Sequence, residues 1–191
     1  MSNHTMAFSI LHLIDYLNLS IDLSKFRHWY LVLELCAGTL QDVCLYKYKG
    51  PALPPDAIVL YQIACGLNYI HSMKLVHSDI KPTNILISVD PVVIKIADSG
   101  HTKPTNKNRS FTYSAGTGTI CWVPAECFTK APQDLQKKEN GKRRDSKKRD
   151  IFSTGLVFFY YLTKGKHLFG KEHREIEKNI EENNPVNLKR E

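Results

Sequence analysis

Apolar positions along the chain fall into runs with distinct periods. Residues 8–17 (FSILHLIDYL) and 28–35 (HWYLVLEL) are rich in Ile, Leu, Val and Tyr, and polar NLSIDLSK lies between them. Both predict strands, and the short connection predicts a hairpin. After CAGT the pattern changes: Thr39 is placed to cap a short helix over 39–46, with Leu40, Val43 and Cys44 on one face. The stretch LPPDAIVLYQIACGLNYIHSM gives the clearest helix, with prolines at its start and Ala57, Leu60, Ala64 and Leu67 at helical spacing. Residues 85–87 and 92–96 flank the turn SVDP and predict a second small hairpin. Residues 98–118 are rich in Gly, Ser, Thr, Asn and Lys and predict a long exposed segment. DIFSTGLVFFYYLT, at 150–163, is apolar nearly all round, which predicts a helix buried in mid-domain and too short for a membrane. KEHREIEKNIEENNP closes the pattern with a polar helix ended by Asn-Pro. No internal repeat is visible.

Composition adds bounds. With 191 residues, 42% of them apolar, the chain has the length of one domain with a core. Its five cysteines, Cys36, Cys44, Cys65, Cys121 and Cys127, form no C-x-x-C pair and are odd in number. A disulfide framework is therefore not expected, and a reducing, cytoplasmic compartment is. The segment MSNHTMAFSILHLIDYL lacks a basic leader, a cleavage pattern and the length of a span, so it reads as mature structure with no membrane span.

Charge changes the picture less than its size suggests. Residues 137–149 (KKENGKRRDSKKR) hold eight basic and two acidic residues, so this segment carries +6 of the chain's net +7. Without aliphatic residues it cannot bury enough surface to order itself, and the reading is a solvated basic insert over 133–149. No aromatic residue is interleaved to stack on a base, which argues against nucleic acid as a partner.

The candidate chemistry lies in VHSDIKPTNILI, residues 76–87, where an acid, a base and an amide precede an apolar run. Taken singly, Asp79 or Asp98 reads as a turn or cap residue and Asn84 as a loop hydrogen-bonder. Their joint order carries more. An apolar helix leads to His77-x-Asp79-x-Lys81-x-x-Asn84, followed by a hairpin, Asp98-x-Gly100, a Ser/Thr-rich loop, GTICWVPAE and DIFSTG. This series resembles the C-terminal lobe of a eukaryotic protein kinase. More narrowly, LELCAGTLQD, HSDIKPTNILIS and DIFSTGLVFFYYLTKGKHLFGK resemble the kinase domain of the unfolded-protein-response sensor kinase/endoribonucleases (the inositol-requiring enzyme group) and ribonuclease L, over roughly residues 28–175.

The resemblance implies an α+β, protein-kinase-like fold, with residues 1–35 a remnant of the N-lobe strands and 36–191 a truncated, mostly helical C-lobe. It implies a Ser/Thr protein kinase with ATP and Mg²⁺ as cofactors. Asp79 would orient the substrate hydroxyl and take its proton, Lys81 would steady the transferring phosphate, and Asn84 and Asp98 would hold Mg²⁺. Lys81, two residues past the base, favours Ser/Thr acceptors, and Thr119 falls where such kinases shape the acceptor site. Glu34 and Cys36 would present backbone groups to adenine, with Leu33 behind the ring and Leu86 beneath it. Asp150 matches a position whose carboxylate braces the catalytic loop. Ser110, Thr112 and Ser114 are candidate phosphorylation sites. Partners would be ATP, a protein substrate or the chain's own activation loop, and a second copy of the chain in a homodimer. Within a longer sensor the location would be the cytosolic face of the endoplasmic reticulum.

Departures from the pattern keep a second reading open. No Gly-rich loop, V-A-I-K strand or partner-Glu helix is found, Ser78 replaces an Arg that reads activation-loop phosphate, and Ser99 replaces a Phe beside the metal-binding Asp. VPAE also inverts the usual Ala-Pro order. These features suit a catalytically inactive kinase-like module that binds nucleotide or a partner, whereas intact Asp79, Lys81, Asn84 and Asp98 suit an active enzyme.

Overall fold

The computed structural model describes residues 34–104, 119–128 and 147–188. The hairpin expected over 8–35 lies outside them up to Leu33, as do Ser110, Thr112, Ser114 and residues 133–146 of the basic insert.

Strand β1 (Cys36–Thr39) runs straight into helix α1 (Leu40–Cys44). Thr39 makes the junction sharp. Its Oγ1 accepts from the Asp42 amide at 3.1 Å, while its own amide donates to Asp42 Oδ2 at 2.9 Å, a reciprocal cap that satisfies two donors at once. A strand occupies CAGT itself, while the strand expected over 28–35 lies outside the described residues up to Leu33.

Helix α2 (Asp56–Ser72) turns Val59, Ile63, Gly66, Leu67 and Ile70 inward. Leu67 and half-buried Leu60 thus keep the place read from the sequence, and the two alanines are corrected. Ala57 and Ala64 are exposed, because the larger β-branched and Leu side chains one step round the helix bury more apolar area.

After strand β2 (Leu75–Val76), strands β3 (Ile85–Ser88) and β4 (Ile94–Ile96) form the expected hairpin. They pair antiparallel as Ile85 with Ile96 and Ile87 with Ile94, and β1 adds to the other edge of β3. Gln62 of α2 accepts the Ile94 amide at 2.9 Å, so the helix packs on the sheet by a polar as well as an apolar contact. Ile85, Ile87, Ile94 and Ile96 join Leu40, Val59, Ile63 and Val157 in the main core. Strand β5 (Lys103–Pro104) pairs with β2, so the segment expected to be exposed from residue 98 starts as a short turn and strand.

Helix α3 (Lys147–Leu162) already includes the last three residues assigned to the basic insert. Arg149, expected in solvent, is 3% exposed. Nor is α3 buried all round, since Ile151 and Leu162 are 59% and 51% exposed. Helix α4 (His173–Glu181) hides Ile176 and Ile180 from its otherwise polar surface in a second cluster with Cys121, Leu156 and Phe169. No helix among the described residues is long and apolar enough to cross a membrane.

Candidate active site

The loop between β2 and β3 carries the acid, base and amide, and it is fixed from three sides. Ser78 sits at φ +71°, a left-handed conformation that costs a non-glycine residue about 1 kcal/mol and must be held by its surroundings. Asp150 of α3, fully buried, does much of this. Its Oδ1 accepts from the Ser78 amide at 2.9 Å, and its Oδ2 accepts from the His77 amide at 2.8 Å and lies 2.8 Å from His71 Nε2. An interior carboxylate needs such partners, and these three donors supply them. The bracing role expected for Asp150 is thus realised in its contacts.

His77 ties the loop to the end of β4. Its Nδ1 accepts the Asp79 amide at 3.3 Å, so the proton sits on Nε2, which donates to the Ala97 carbonyl at 2.9 Å. Burial pulls the imidazole below its ordinary range, against the opposing pull of the Ala97 hydrogen bond and the nearby carboxylates of Asp150, Asp79 and Asp98.

Asp79 is 4% exposed, and four donors converge on it. Lys81 Nζ lies 2.6 Å from Oδ2 and Asn84 Nδ2 3.1 Å from the same oxygen, while the Thr119 amide and hydroxyl reach Oδ1 at 3.1 and 3.0 Å. Burial by itself would raise this carboxyl. The Lys81 ammonium and the Thr119 hydrogen bonds outweigh it, so the group stays ionised and below its usual range. Lys81 also donates to Thr119 Oγ1 at 2.8 Å, closing a ring of acid, ammonium and hydroxyl.

The candidate metal side is built from the hairpin. Asn84 precedes β3, Asp98 follows β4, and the Ala97 amide donates to the Asn84 carbonyl at 2.9 Å, so the two strand ends are held together. Asn84 Nδ2 is committed to Asp79, which leaves its side-chain oxygen as the free end of the amide. Asp98 is exposed at φ +63°, with one oxygen accepting the Gly100 amide at 3.2 Å. Two oxygen donors of this kind would suit a hard cation, and such a cation does not need a cage of three or more acids. No such cage occurs among the described residues.

Of the residues predicted to meet adenine, Leu33 lies outside the described residues. Leu86 is half-buried, in register with Thr39 on one side and Lys95 on the other. Glu34 has a second attachment that the sequence did not suggest: Lys95 of β4 reaches both its carboxylate oxygens, at 2.6 and 2.7 Å. Cys36 adjoins this pair, and its thiol is raised, by burial first and then by Glu34, with Lys95 opposing.

Three contributors thus escaped the sequence reading: His71, Lys95 and Arg149. Arg149 Nη2 donates to the Ser78 carbonyl at 2.7 Å. Its one sequence signal is its place directly before Asp150, masked by the basic run it ends. The segment 119–122, carrying Thr119, is held by the same helix and by the chain beyond it. Ser153 Oγ lies 2.6 Å from the Trp122 carbonyl, and His167 Nε2, with Nδ1 accepting the Phe169 amide, donates to the Cys121 carbonyl at 2.9 Å.

A model of the protein kinase domain matches residues 4–190. The serine/threonine-protein kinase/endoribonuclease ireA of Aspergillus fumigatus is 31% identical over 172 residues, which cover 74% of this chain and 15% of that protein. The sensor for unfolded proteins in the ER ire1 of Schizosaccharomyces pombe is 35% identical over 172 residues, covering 79% and 16%. The chain therefore corresponds to a small part of each relative. Among solved structures, a chain of the yeast RNA polymerase II CTD kinase CTDK-1 complex is similar at a TM-score of 0.59 and 22% identity, over 78% of this chain and 44% of that one. This last likeness is one of fold.

Proposed function

This chain belongs to the protein kinase family, and from that premise we propose that it serves ATP-dependent phosphoryl transfer to Ser and Thr hydroxyls of proteins. The observation that carries the reading is the placement of Asp79: a buried, ionised carboxylate beside a lysine and facing a hydroxyl-bearing acceptor segment.

Phosphoryl transfer asks mainly for positioning and charge neutralisation. Asp79 orients an incoming hydroxyl and accepts its proton, a role that needs the carboxylate ionised at neutral pH, as Lys81 and Thr119 keep it. Lys81, linked to Asp79, is placed to follow the oxygen charge that shifts during transfer. Asn84 and Asp98 would hold Mg²⁺, which would supply neutralisation of the phosphate charge. Backbone groups at Glu34 and Cys36 would meet the adenine edge, with Leu86 beneath the ring. The acceptors include Ser110, Thr112 and Ser114 of the chain's own segment. The likeness to kinase/endoribonucleases, one printed as a sensor for unfolded proteins, favours a domain of a larger stress sensor at the cytosolic face of the endoplasmic reticulum, able to act on a second copy of itself.

A second reading has its own support. Ser99 follows an exposed Asp98, where an apolar residue would anchor that carboxylate. A nucleotide-binding module without transfer would retain Mg²⁺-dependent affinity for ATP but label no hydroxyl. Incubation with labelled ATP, Mg²⁺ and a generic basic protein decides between them. Transfer that falls by about a hundredfold or more in Asp79→Asn is expected of the kinase, whereas binding with no transfer by the wild type supports the module.

A further inference from the structure

The two peptide groups that flank the Ser78 α-carbon are both held by consecutive residues of α3. Asp150 accepts the Ser78 amide at 2.9 Å, and Arg149 donates to the Ser78 carbonyl at 2.7 Å. That carbonyl belongs to the peptide entering Asp79, so its direction sets where the Asp79 side chain starts. The Ser78 backbone has no glycine to relax it at φ +71°, and both residues are nearly inaccessible, at 2% for Ser78 and 3% for Arg149. In such a setting a carbonyl that loses a donor is destabilised by about 1–3 kcal/mol, which favours rotation of its peptide plane. Rotation about Ser78 would carry Asp79 away from Thr119.

We propose that Arg149 is a positioning residue for Asp79. It holds the 78–79 peptide plane and thereby aims the carboxylate at Lys81 and Thr119, a role that rests on the reading of Asp79 as the base. The resemblance to kinases places an arginine at residue 78 itself; here a guanidinium reaches the same residue from the neighbouring helix. Burial pulls its guanidinium below the ordinary range, against the opposing pull of the nearby Asp150 and Asp79 carboxylates. The same turn of α3 also abuts the acceptor segment, since Ser153 Oγ lies between the Arg149 and Trp122 carbonyls at 3.0 and 2.6 Å. One turn of helix therefore sets base and acceptor in a common frame.

Amide exchange in the full ¹⁵N-labelled chain tests this without requiring activity. The Thr119 amide, bonded to Asp79 Oδ1 at 3.1 Å, reports where the carboxylate points, and the Ser78 amide reports the turn. In Arg149→Met both should exchange about tenfold faster or more, while Ile63 and Ile94 in the core keep their rates. Arg149→Lys, which retains a donor, should recover most of the protection. Thr119 exchange that is unchanged in Arg149→Met overturns the proposal, as does an equal rise at Ile63 and Ile94. If Arg149→Met does not fold, Arg149→Gln is judged by the same two criteria. In transfer assays Arg149→Met should lower kcat with little change in KM for nucleotide. A wild-type chain that neither binds Mg²⁺-ATP nor transfers phosphate defeats the kinase reading, while the exchange rates still decide the role of Arg149.

Discussion

At the residue scale the two candidate carboxylates differ in what surrounds them, and their variants should differ accordingly. Asp79 is enclosed by four donors from Lys81, Asn84 and Thr119, whereas Asp98 is exposed with one backbone amide on it. Asp79→Asn keeps the metal-side groups, so calorimetry should find Mg²⁺-nucleotide affinity nearly unchanged while single-turnover transfer collapses. Asp98→Asn should weaken that affinity as well, and only in the presence of Mg²⁺. Equal loss of binding in both would mean general misfolding. Titration gives a separate expectation. His77 and His167 each accept an amide on Nδ1, so protonation would set two N–H groups against each other, and burial lowers both imidazoles. Their folded pKa values lie below the unfolded value, so the unfolded chain binds more protons. Stability is therefore complete above about pH 6.5 and declines as pH falls through that value. Urea midpoints from pH 7.5 to 5.5 should fall, and His167→Gln should flatten the slope.

At the element scale an ion pair between Lys95 and Glu34 ties the sheet to the residue two before β1. Lys95 is 5% exposed on a strand whose neighbours Ile94 and Ile96 are core, and its charge is matched by Glu34. Leaving a buried ammonium unpaired is costly, so Glu34→Gln should lose ~3 kcal/mol in denaturant titration, and adding Lys95→Ala should return part of it. Loss of the α1 cap in Thr39→Ala should cost ~1 kcal/mol by the same measurement. These elements also show what could be read in advance. The β3–β4 hairpin, the cap at Thr39 and the extent of α2 were legible because each is set by local periodicity, turn chemistry or capping. The inward face of α2 was legible only at Leu60 and Leu67, since Ala57 and Ala64 satisfy the helical period as well as Val59 and Ile63 do, and only the sheet chooses between them. The motif order pointed to Asp79, Lys81 and Asn84, which the fold brings together, and Thr119 joins them from 38 residues beyond Lys81. Glu34–Lys95 and Arg149–Ser78 are separated by 61 and 71 residues, and no local rule links them.

At the scale of the whole molecule, α3 is where the pieces meet. Val157 and Tyr161 enter the main core, Leu156 enters the second cluster, and Arg149, Asp150 and Ser153 hold the loop around Asp79 and the segment at Trp122. Asp150→Ala strands three donors at once and should lower stability by ~3 kcal/mol or more, with loss of protection at His77 and Ser78. The full burial of that carboxylate also bears on ionic strength. Mobile ions approach exposed charges and weaken them within a Debye length of about 10 Å at 0.1 M salt, but they do not enter a site closed to water. Surface pairs such as Lys178–Glu182, with side chains 71% and 54% exposed, should yield to added salt. The loop around Asp79 should hold its shape from dilute buffer to brine, so any salt dependence of transfer will belong to the encounter with substrate and not to the machinery.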